Sequence, residues 1–331
     1  MKTILTKLFT IMIVIMKTIL TVFLACAFTC AFTQNKINVV TEDIHNFWEA
    51  YDNMLEVDNF SDKLSTINKI YLDKQTAGLK KFRQLNNYKD TSYIKMLENY
   101  PSYFQAIRSN MHKLATQKEL VESAFSKFET LYHDLQDVNI YFTVGCFNSG
   151  GTISDNMILL GAEILSADST INFEEKNLKW LKDYAETQKI DNIDFFTIHE
   201  YVHILQKKND TLKPTVLSAC IGEGAADFVA ELATEKPLNT PYRRYGEKHF
   251  RKIKEDFRKE MLSTEKHSNW LYNGHKFGEA GDLGYFLGYV ICKSYYEQAI
   301  DKKQAIKEII EVDYNDENAI ETFLDKSKFY Q

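Results

Sequence analysis

The sequence predicts an α+β fold that is mainly α-helical, with a small antiparallel β-hairpin or sheet. Only 4 prolines and 13 glycines interrupt the 331 residues, so long helices are expected. Apolar residues recur at steps of three and four from Thr41 to about Leu135, which is helical spacing. At residue 138 this period gives way to a β-branched and aromatic run that is typical of a strand.

Composition and charge fit a folded globular protein. Hydrophobic residues make up 44% and charged residues 26% of the chain, which excludes a mainly disordered protein. The net charge of −6 becomes −9 without residues 1–33, because these hold three lysines and no acidic residue. A general nucleic-acid binder needs a basic face, so this balance argues against nucleic acid as a partner.

Residues 1–33 have the order of a secretory signal peptide. The first six residues recur letter for letter from Met16, which is therefore a second candidate start. After Met16 a basic residue precedes an apolar stretch, 19–28, that is short for a transmembrane helix. Cleavage is predicted after Thr33 or after Ala31, and an uncleaved membrane anchor is the alternative.

Cys26 raises a second alternative for the leader. Leu24-Ala25-Cys26 resembles a lipoprotein signal, so the exported chain could be lipid-anchored at Cys26. The expected location is periplasmic, extracellular or associated with the outer membrane, with membrane contact only through the leader or that anchor. The remaining cysteines, Cys146, Cys220 and Cys292, are odd in number and widely spaced, so they predict neither a disulfide framework nor a zinc knuckle.

The segment 34–135 is predicted to be an N-terminal helical region. Thr41 and the acids after it suit a helix start, and one face of that helix is expected to hold Ile44, Phe47, Trp48, Tyr51 and Leu55. Further helices are expected around 63–84, 91–98, 101–115 and 117–135.

The segment 136–331 is predicted to form a second domain. Its first strand, 138–144, and a returning strand, 157–161, are expected to form a β-hairpin through the turn at 148–152. Helices are expected to resume at about 173–187 and 193–207.

Residues 199–203 read His-Glu-Tyr-Val-His, which is the H-E-x-x-H arrangement. Residues four apart share a helix face, so His199 and His203 can bind one metal ion. Glu200 lies one step round the helix and can contact water on that metal without being a ligand. Ionisable groups in such an apolar run cost several kcal/mol to bury unless they are paired or bind metal.

A second acidic pair follows, with Glu223 and Asp227 again four residues apart. Because a catalytic zinc takes three protein ligands and keeps one position open, Glu223 is the candidate third ligand. Asp227 could accept the free ring N–H of His199 and so fix that ligand's orientation. The small residues that would allow a close approach of the two helices are Gly222, Gly224, Ala225 and Ala226.

The two motifs are His199-Glu200-x-x-His203 and Glu223-x-x-x-Asp227, with 19 residues between them. This arrangement resembles that of the gluzincin metallopeptidases, of which thermolysin is the familiar member. The resemblance implies a zincin-like core within 136–331 and one Zn²⁺ per chain. It also implies that both histidines and Glu223 bind the zinc, that Glu200 is the general base and that Asp227 orients a ligand.

Two further segments narrow the resemblance. Three segments carry a closer resemblance: 223–228, Asp282-Leu283-Gly284-Tyr285 and Gly288-Tyr289. Together they are similar to the motifs of a bacterial family of predicted zinc-dependent proteases. A gliding-motility lipoprotein family shares parts of the pattern. Asp282 is expected to cap the helix that follows it, and Gly284 and Gly288 are expected to give that helix a flat packing face.

A metallopeptidase also needs a donor for the oxyanion that forms at the scissile carbonyl. The candidates in this sequence are Tyr285, Tyr289 and His275. Gluzincins hold substrate by adding it as a strand to a sheet edge beside the metal helix, and the segment 152–161 is the candidate edge.

These observations predict an exported zinc metallopeptidase that hydrolyses peptide bonds in a peptide or protein through a zinc-bound water activated by Glu200. The alternative is a non-catalytic exported binding or adaptor protein with a structural or vestigial zinc site. Glu200 favours the enzyme, because a structural zinc has no need of a carboxylate at that position.

Overall fold

The computed structural model describes residues 36–331, except 172, 174–177, 179, 183–184, 186–189, 207–212, 238 and the side chain of 275. Residues 37–331 form one compact unit. The structure is 66% helical with a small mixed sheet, which confirms the predicted α+β, mainly helical class. The predicted leader and most of the helix predicted at 173–187 lie outside the described residues.

The helices and strands follow one another along the chain as β1 (Ile37–Val40), α1 (Glu42–Met54), α2 (Phe60–Ile67, continued by a π-helical turn), α3 (Ala77–Leu85), α4 (Asp90–Asn99), α5 (Pro101–Leu114), α6 (Lys118–Leu131), β2 (Val138–Thr143), β3 (Gly151–Ser154), β4 (Met157–Gly161), α7 (Ala162–Leu165), α8 (Ile193–Leu205), α9 (Val216–Thr234), α10 (Pro241–Glu260), α11 (Gly274–Phe277), α12 (Leu283–Gln298), α13 (Lys302–Glu311) and α14 (Glu317–Ser327). Within the described ranges, no helix is both long and apolar enough to cross a membrane.

The four strands lie in the order β1-β2-β4-β3. β1 is parallel to β2, with Ile37 opposite Val138, and β2 is parallel to β4, with Ile140 opposite Ile158. A strand from the predicted N-terminal region therefore pairs with one from the second region. β3 is antiparallel to β4 and lies at one edge of the sheet.

The predicted hairpin between 138–144 and 157–161 is wrong, because these two strands are parallel neighbours. The hairpin is instead formed by β3 and β4, which are joined by the two residues Asp155 and Asn156. Asp155 has a φ of 51°, in the left-handed region that tight hairpin turns use and that Asp and Asn tolerate.

The N-terminal helices largely follow the predicted pattern. α1 buries Ile44, Phe47, Trp48 and Tyr51 as expected. Leu55 is exposed at the end of the helix, and Met54 takes the buried position instead. The segment predicted as one helix over 63–84 divides near Thr76, whose side chain accepts from Leu79 N and begins α3.

α9 and α12 touch through their backbones. A Cβ atom at Gly288 would lie 1.8 Å from the carbonyl oxygen of Cys220, and one at Gly224 would lie 2.0 Å from Gly288. Gly284 also faces Cys220, so the predicted flat face of Gly284 and Gly288 is confirmed. Gly224 is expected to allow a close approach of α9 to α8, but it allows the close approach of α9 to α12 instead.

The side chain of Glu163 in α7 is hydrogen-bonded to the backbone of the loop that leads from β2 to β3. Its side chain is fully buried and accepts from the backbone N–H groups of Gly145, at 2.8 Å, and of Phe147, at 3.1 Å. Burial raises the pKa of Glu163 from 4.5 to about 7, although the two N–H donors partly oppose the shift.

This raised pKa predicts a stability that falls with pH. The native state keeps the proton up to about pH 7, whereas an unfolded glutamate loses it near 4.5. The free energy of unfolding should therefore decrease between these pH values, by roughly 3 kcal/mol from this one group. Urea unfolding at pH 5 and pH 8 should give a smaller decrease for Glu163→Gln than for the wild type. The exposed Glu119→Gln control should keep the wild-type decrease, and an equal decrease in Glu163→Gln would contradict the assignment.

Candidate metal centre

Three atoms that could bind a metal ion converge between α8 and α9. His203 Nε2 lies 3.2 Å from His199 Nε2 and 3.2 Å from Glu223 Oε2, and His199 Nε2 lies 3.5 Å from the same oxygen. Two atoms that bind one zinc at 2.0–2.1 Å with tetrahedral angles lie about 3.3 Å apart. The spacing of the three atoms therefore fits one zinc ion.

The local sequence explains how the two helices present these atoms. α8 is apolar around most of its surface and is buried, and its two histidines, one turn apart, face the same side. Asp194, in the N-terminal turn of α8, is 3% exposed and forms a salt bridge with Lys236, which follows α9. Glu223 lies within the buried, small-residue part of α9 and is itself 8% exposed. A buried carboxylate facing two imidazoles calls for a cation to balance its charge.

Asp227 orients the first histidine, as the sequence suggests. Its Oδ1 lies 2.9 Å from His199 Nδ1, and its Oδ2 accepts from the hydroxyl of Tyr242 at 2.8 Å. The contact with Asp227 holds a proton on Nδ1, so Nε2 is the nitrogen that faces the centre. Burial disfavours the charged form of His199, but the Asp227 and Glu223 carboxylates outweigh it and raise its pKa to about 10, so a metal ion that binds Nε2 must displace a proton from it.

Gln206 orients the second histidine. It is the first residue after α8, and its amide Nε2 donates to the carbonyl of Gly222 at 2.8 Å. Because that carbonyl can only accept, the amide oxygen Oε1 must face His203 Nδ1, which lies 2.9 Å away. His203 therefore carries its proton on Nδ1 and also presents Nε2 to the centre.

Tyr272 contacts the third ligand. Its hydroxyl donates to Glu223 Oε1 at 2.8 Å, while Oε2 of the same carboxylate faces the two imidazole nitrogens. Tyr272 as a whole is exposed, but its hydroxyl is buried against Glu223. This local burial and the adjacent carboxylate raise the pKa of the hydroxyl, which therefore remains a donor. The two oxygens of Glu223 thus have different partners.

Glu200 lies against the edge strand of the sheet. A Cβ atom at Gly151 in β3 would lie 2.7 Å from Glu200 Oε1, so any larger residue there would displace the carboxylate from this position. Glu200 therefore lies next to the backbone of β3, a strand at an edge of the sheet.

The three candidate oxyanion donors have different surroundings. The ring of Tyr285 stacks on His199, with centroids 6.3 Å apart, and among the described residues its hydroxyl has no hydrogen-bond partner. Burial and the nearby Glu223 carboxylate raise its pKa, so this hydroxyl keeps its proton. Tyr289 donates instead to Glu231 at 2.7 Å, and its ring lies under the guanidinium of Arg243. His275 is in α11, and its side chain lies outside the described part.

Gln206, Tyr242 and Tyr272 are missing from the sequence-based site. Gln206 follows His203 by three residues, a helical spacing that could have identified it. Tyr242 and Tyr272 come from separate elements, and their sequence neighbourhoods carry no metal signal. Asp282 does not cap α12 as expected, because its side chain accepts from the backbone N–H groups of Asn273 and Gly274.

Comparison with known proteins gives one match. Residues 169–316 match a family described as predicted Zn-dependent protease (DUF2268), which supports the resemblance seen in the sequence. The matched segment contains the three candidate metal ligands, Glu200 and Asp227. No curated protein and no solved structure matches the chain.

Proposed function

Taking that family match as the premise, we propose that the protein is an exported zinc-dependent metallopeptidase that hydrolyses peptide bonds in a peptide or protein substrate. The observation that carries the proposal is the convergence of His199, His203 and Glu223 at tetrahedral spacing, with the Glu200 carboxylate close enough to His199 to favour its charged form. The leader-like residues 1–33 support export, and the excess of acidic residues supports a partner other than nucleic acid.

His199, His203 and Glu223 would hold the zinc. When bound, a zinc ion polarises the scissile carbonyl and lowers the pKa of a coordinated water towards about 7. Glu200 is the general base of the proposed reaction: it removes a proton from the attacking water and then delivers that proton to the leaving amine. Asp227 and Gln206 each hold a proton on Nδ1 of their imidazole, so Nε2 of both histidines is the nitrogen available to the metal.

Tyr285 is the candidate oxyanion donor best supported by its surroundings. Its ring lies over His199 and its hydroxyl is protonated and unengaged within the described part of the chain. A hydroxyl in this state can donate to a developing negative charge without first breaking another hydrogen bond. The hydroxyl of Tyr289 would first have to leave Glu231.

β3 is the proposed substrate-binding strand. As an edge strand next to Glu200, it can add an extended peptide through backbone hydrogen bonds and bring a peptide bond to the metal centre. The absence of a side chain at Gly151 keeps that approach open.

Metal content tests the site directly. The purified mature chain, prepared without chelator, should hold about one zinc, because three ligands and an open position describe a catalytic site. His199→Ala and Glu223→Ala should each lose it after dialysis, as measured by elemental analysis. His45→Ala, which removes an exposed histidine of α1, should keep the wild-type content. A metal-free wild type would favour the alternative, a non-catalytic exported binding protein.

A further inference from the structure

The outer partners of the three metal-ligating side chains differ in exposure. Asp227 and Gln206, which hold the two imidazoles, are 3% and 6% exposed. Tyr272, which holds Glu223, is 67% exposed. The carboxylate ligand is therefore held from the open side of the centre, by a residue that lies on a loop rather than on α8 or α9.

The backbone of Tyr272 is strained. Its φ of 56° lies in the left-handed region, which is unfavourable for a residue with a bulky side chain. Such a conformation persists only where the surrounding structure enforces it. The strain at Tyr272 thus points to a contact that the fold maintains at a cost.

A reciprocal set of hydrogen bonds enforces this conformation. Asn273 N donates to Asp282 Oδ1 at 2.7 Å, Gly274 N donates to Asp282 Oδ2 at 3.1 Å, and Asp282 N donates to Asn273 Oδ1 at 2.6 Å. We refer to these three bonds as the Asn273–Asp282 clasp. Asn273 is 2% exposed, so one half of the clasp is anchored in the interior.

The clasp closes directly beside Tyr272 and fixes the start of α12. Asp282, like Tyr272, has a left-handed backbone, with φ 54°, and Tyr285 follows it by three residues. The rings of Tyr272 and Tyr285 meet edge to face at 6.3 Å. One set of hydrogen bonds therefore sets the position of both aromatic residues at the metal centre.

We propose that Tyr272 is a positioning residue: it reserves Glu223 Oε2 for the metal by binding Oε1, and the Asn273–Asp282 clasp fixes Tyr272 for that task. The inference rests on the proposed function, because the orientation of Glu223 matters in this way only if the centre binds zinc. Without the tyrosine hydroxyl, Oε1 would lose a hydrogen bond that sets the orientation of the carboxylate, and part of the ordering of this ligand would have to occur when the metal binds.

The first test compares two matched tyrosine variants of the full mature chain. Tyr272→Phe should weaken Zn²⁺ binding about 10–100-fold, measured by competition with a chelator of known affinity. It should also change the visible absorption of bound Co²⁺, which is sensitive to the ligand set. Tyr296→Phe, which removes a hydroxyl from a tyrosine of α12 that packs on Phe228 rather than on a candidate ligand, should leave the zinc affinity and the Co²⁺ spectrum unchanged. The zinc-free unfolding midpoint of both variants should match that of the wild type.

The second test asks whether the clasp acts through Tyr272. Asp282→Asn removes one acceptor of the clasp and should weaken Zn²⁺ binding in the wild-type background, but not further in Tyr272→Phe. Wild-type affinity in Tyr272→Phe, or independent effects of the two changes, would overturn the inference while the metal site stands. A wild type that binds no zinc would instead remove the proposed function, and this inference with it.

Discussion

Replacing Glu200 by glutamine should abolish nearly all peptidase activity while the zinc stays bound. The amide keeps the size of the side chain and fits the space beside Gly151, but it cannot take a proton from water or deliver one to the leaving amine. Loss of a general acid–base group typically lowers kcat about 10²–10⁴-fold. The measurement is turnover of a quenched fluorescent peptide library, with zinc content determined on the same preparation.

A matched control separates this effect from the loss of a surface charge. Glu247→Gln removes a carboxylate from the exposed face of α10 and should retain wild-type turnover. Because Glu200 is not among the three converging ligand atoms, its variant should hold as much zinc as the wild type. Undiminished turnover in Glu200→Gln would end the assignment of Glu200 as the base.

Gly288→Ala should destabilise the fold more than most substitutions outside the metal centre. In an exposed helix this change is stabilising by about 1 kcal/mol, because alanine is the better helix former. Here the added Cβ would lie 1.8 Å from the Cys220 carbonyl oxygen, and neither backbone can move without separating α9 from α12. The clash outweighs the propensity, and we expect a loss of roughly 3 kcal/mol or more in the free energy of unfolding.

Urea unfolding of the zinc-free chain measures this loss. Lys293→Ala, on a solvent-exposed position of the same helix, should change the stability by only about 0.5 kcal/mol. If Gly288→Ala unfolds at the wild-type urea concentration, α9 and α12 are not in backbone contact at Gly288. Because Glu223 adjoins Gly224 in this contact, Gly288→Ala should also weaken zinc binding.

The core of the site could be predicted from the sequence because its geometry is local. His199 and His203 are four residues apart on one helix, as are Glu223 and Asp227 on the next, so helical periodicity alone puts each pair on one face. The remaining step, the meeting of the two helices, follows from the three protein ligands that a catalytic zinc takes, and the resemblance to gluzincins implies the same ligand set. The position of Glu200 against β3 could not be derived, since it depends on how the sheet is assembled.

The predictions that were wrong concern features that depend on which strands pair or on a residue's backbone conformation. The Gly-rich turn at 148–152 suggested a hairpin, but the two-residue turn at Asp155 is the real one, and a strand's partner is not encoded in its own pattern. Asp282 carries a good capping side chain, yet its left-handed backbone directs that side chain to Asn273. Tyr272 gave no signal because its role depends on a strained φ.

The parallel pairing of β1 with β2 constrains how the chain folds. Ile37 is opposite Val138, so about 100 residues must be synthesised and brought together before the first strand has a partner. Contacts between residues so distant in sequence carry a high loop-closure entropy, and they slow folding. Until then β1 is an unpaired strand, which is prone to aggregation. The early helices can form first, and completion of the sheet is expected to be the slow, late step of folding.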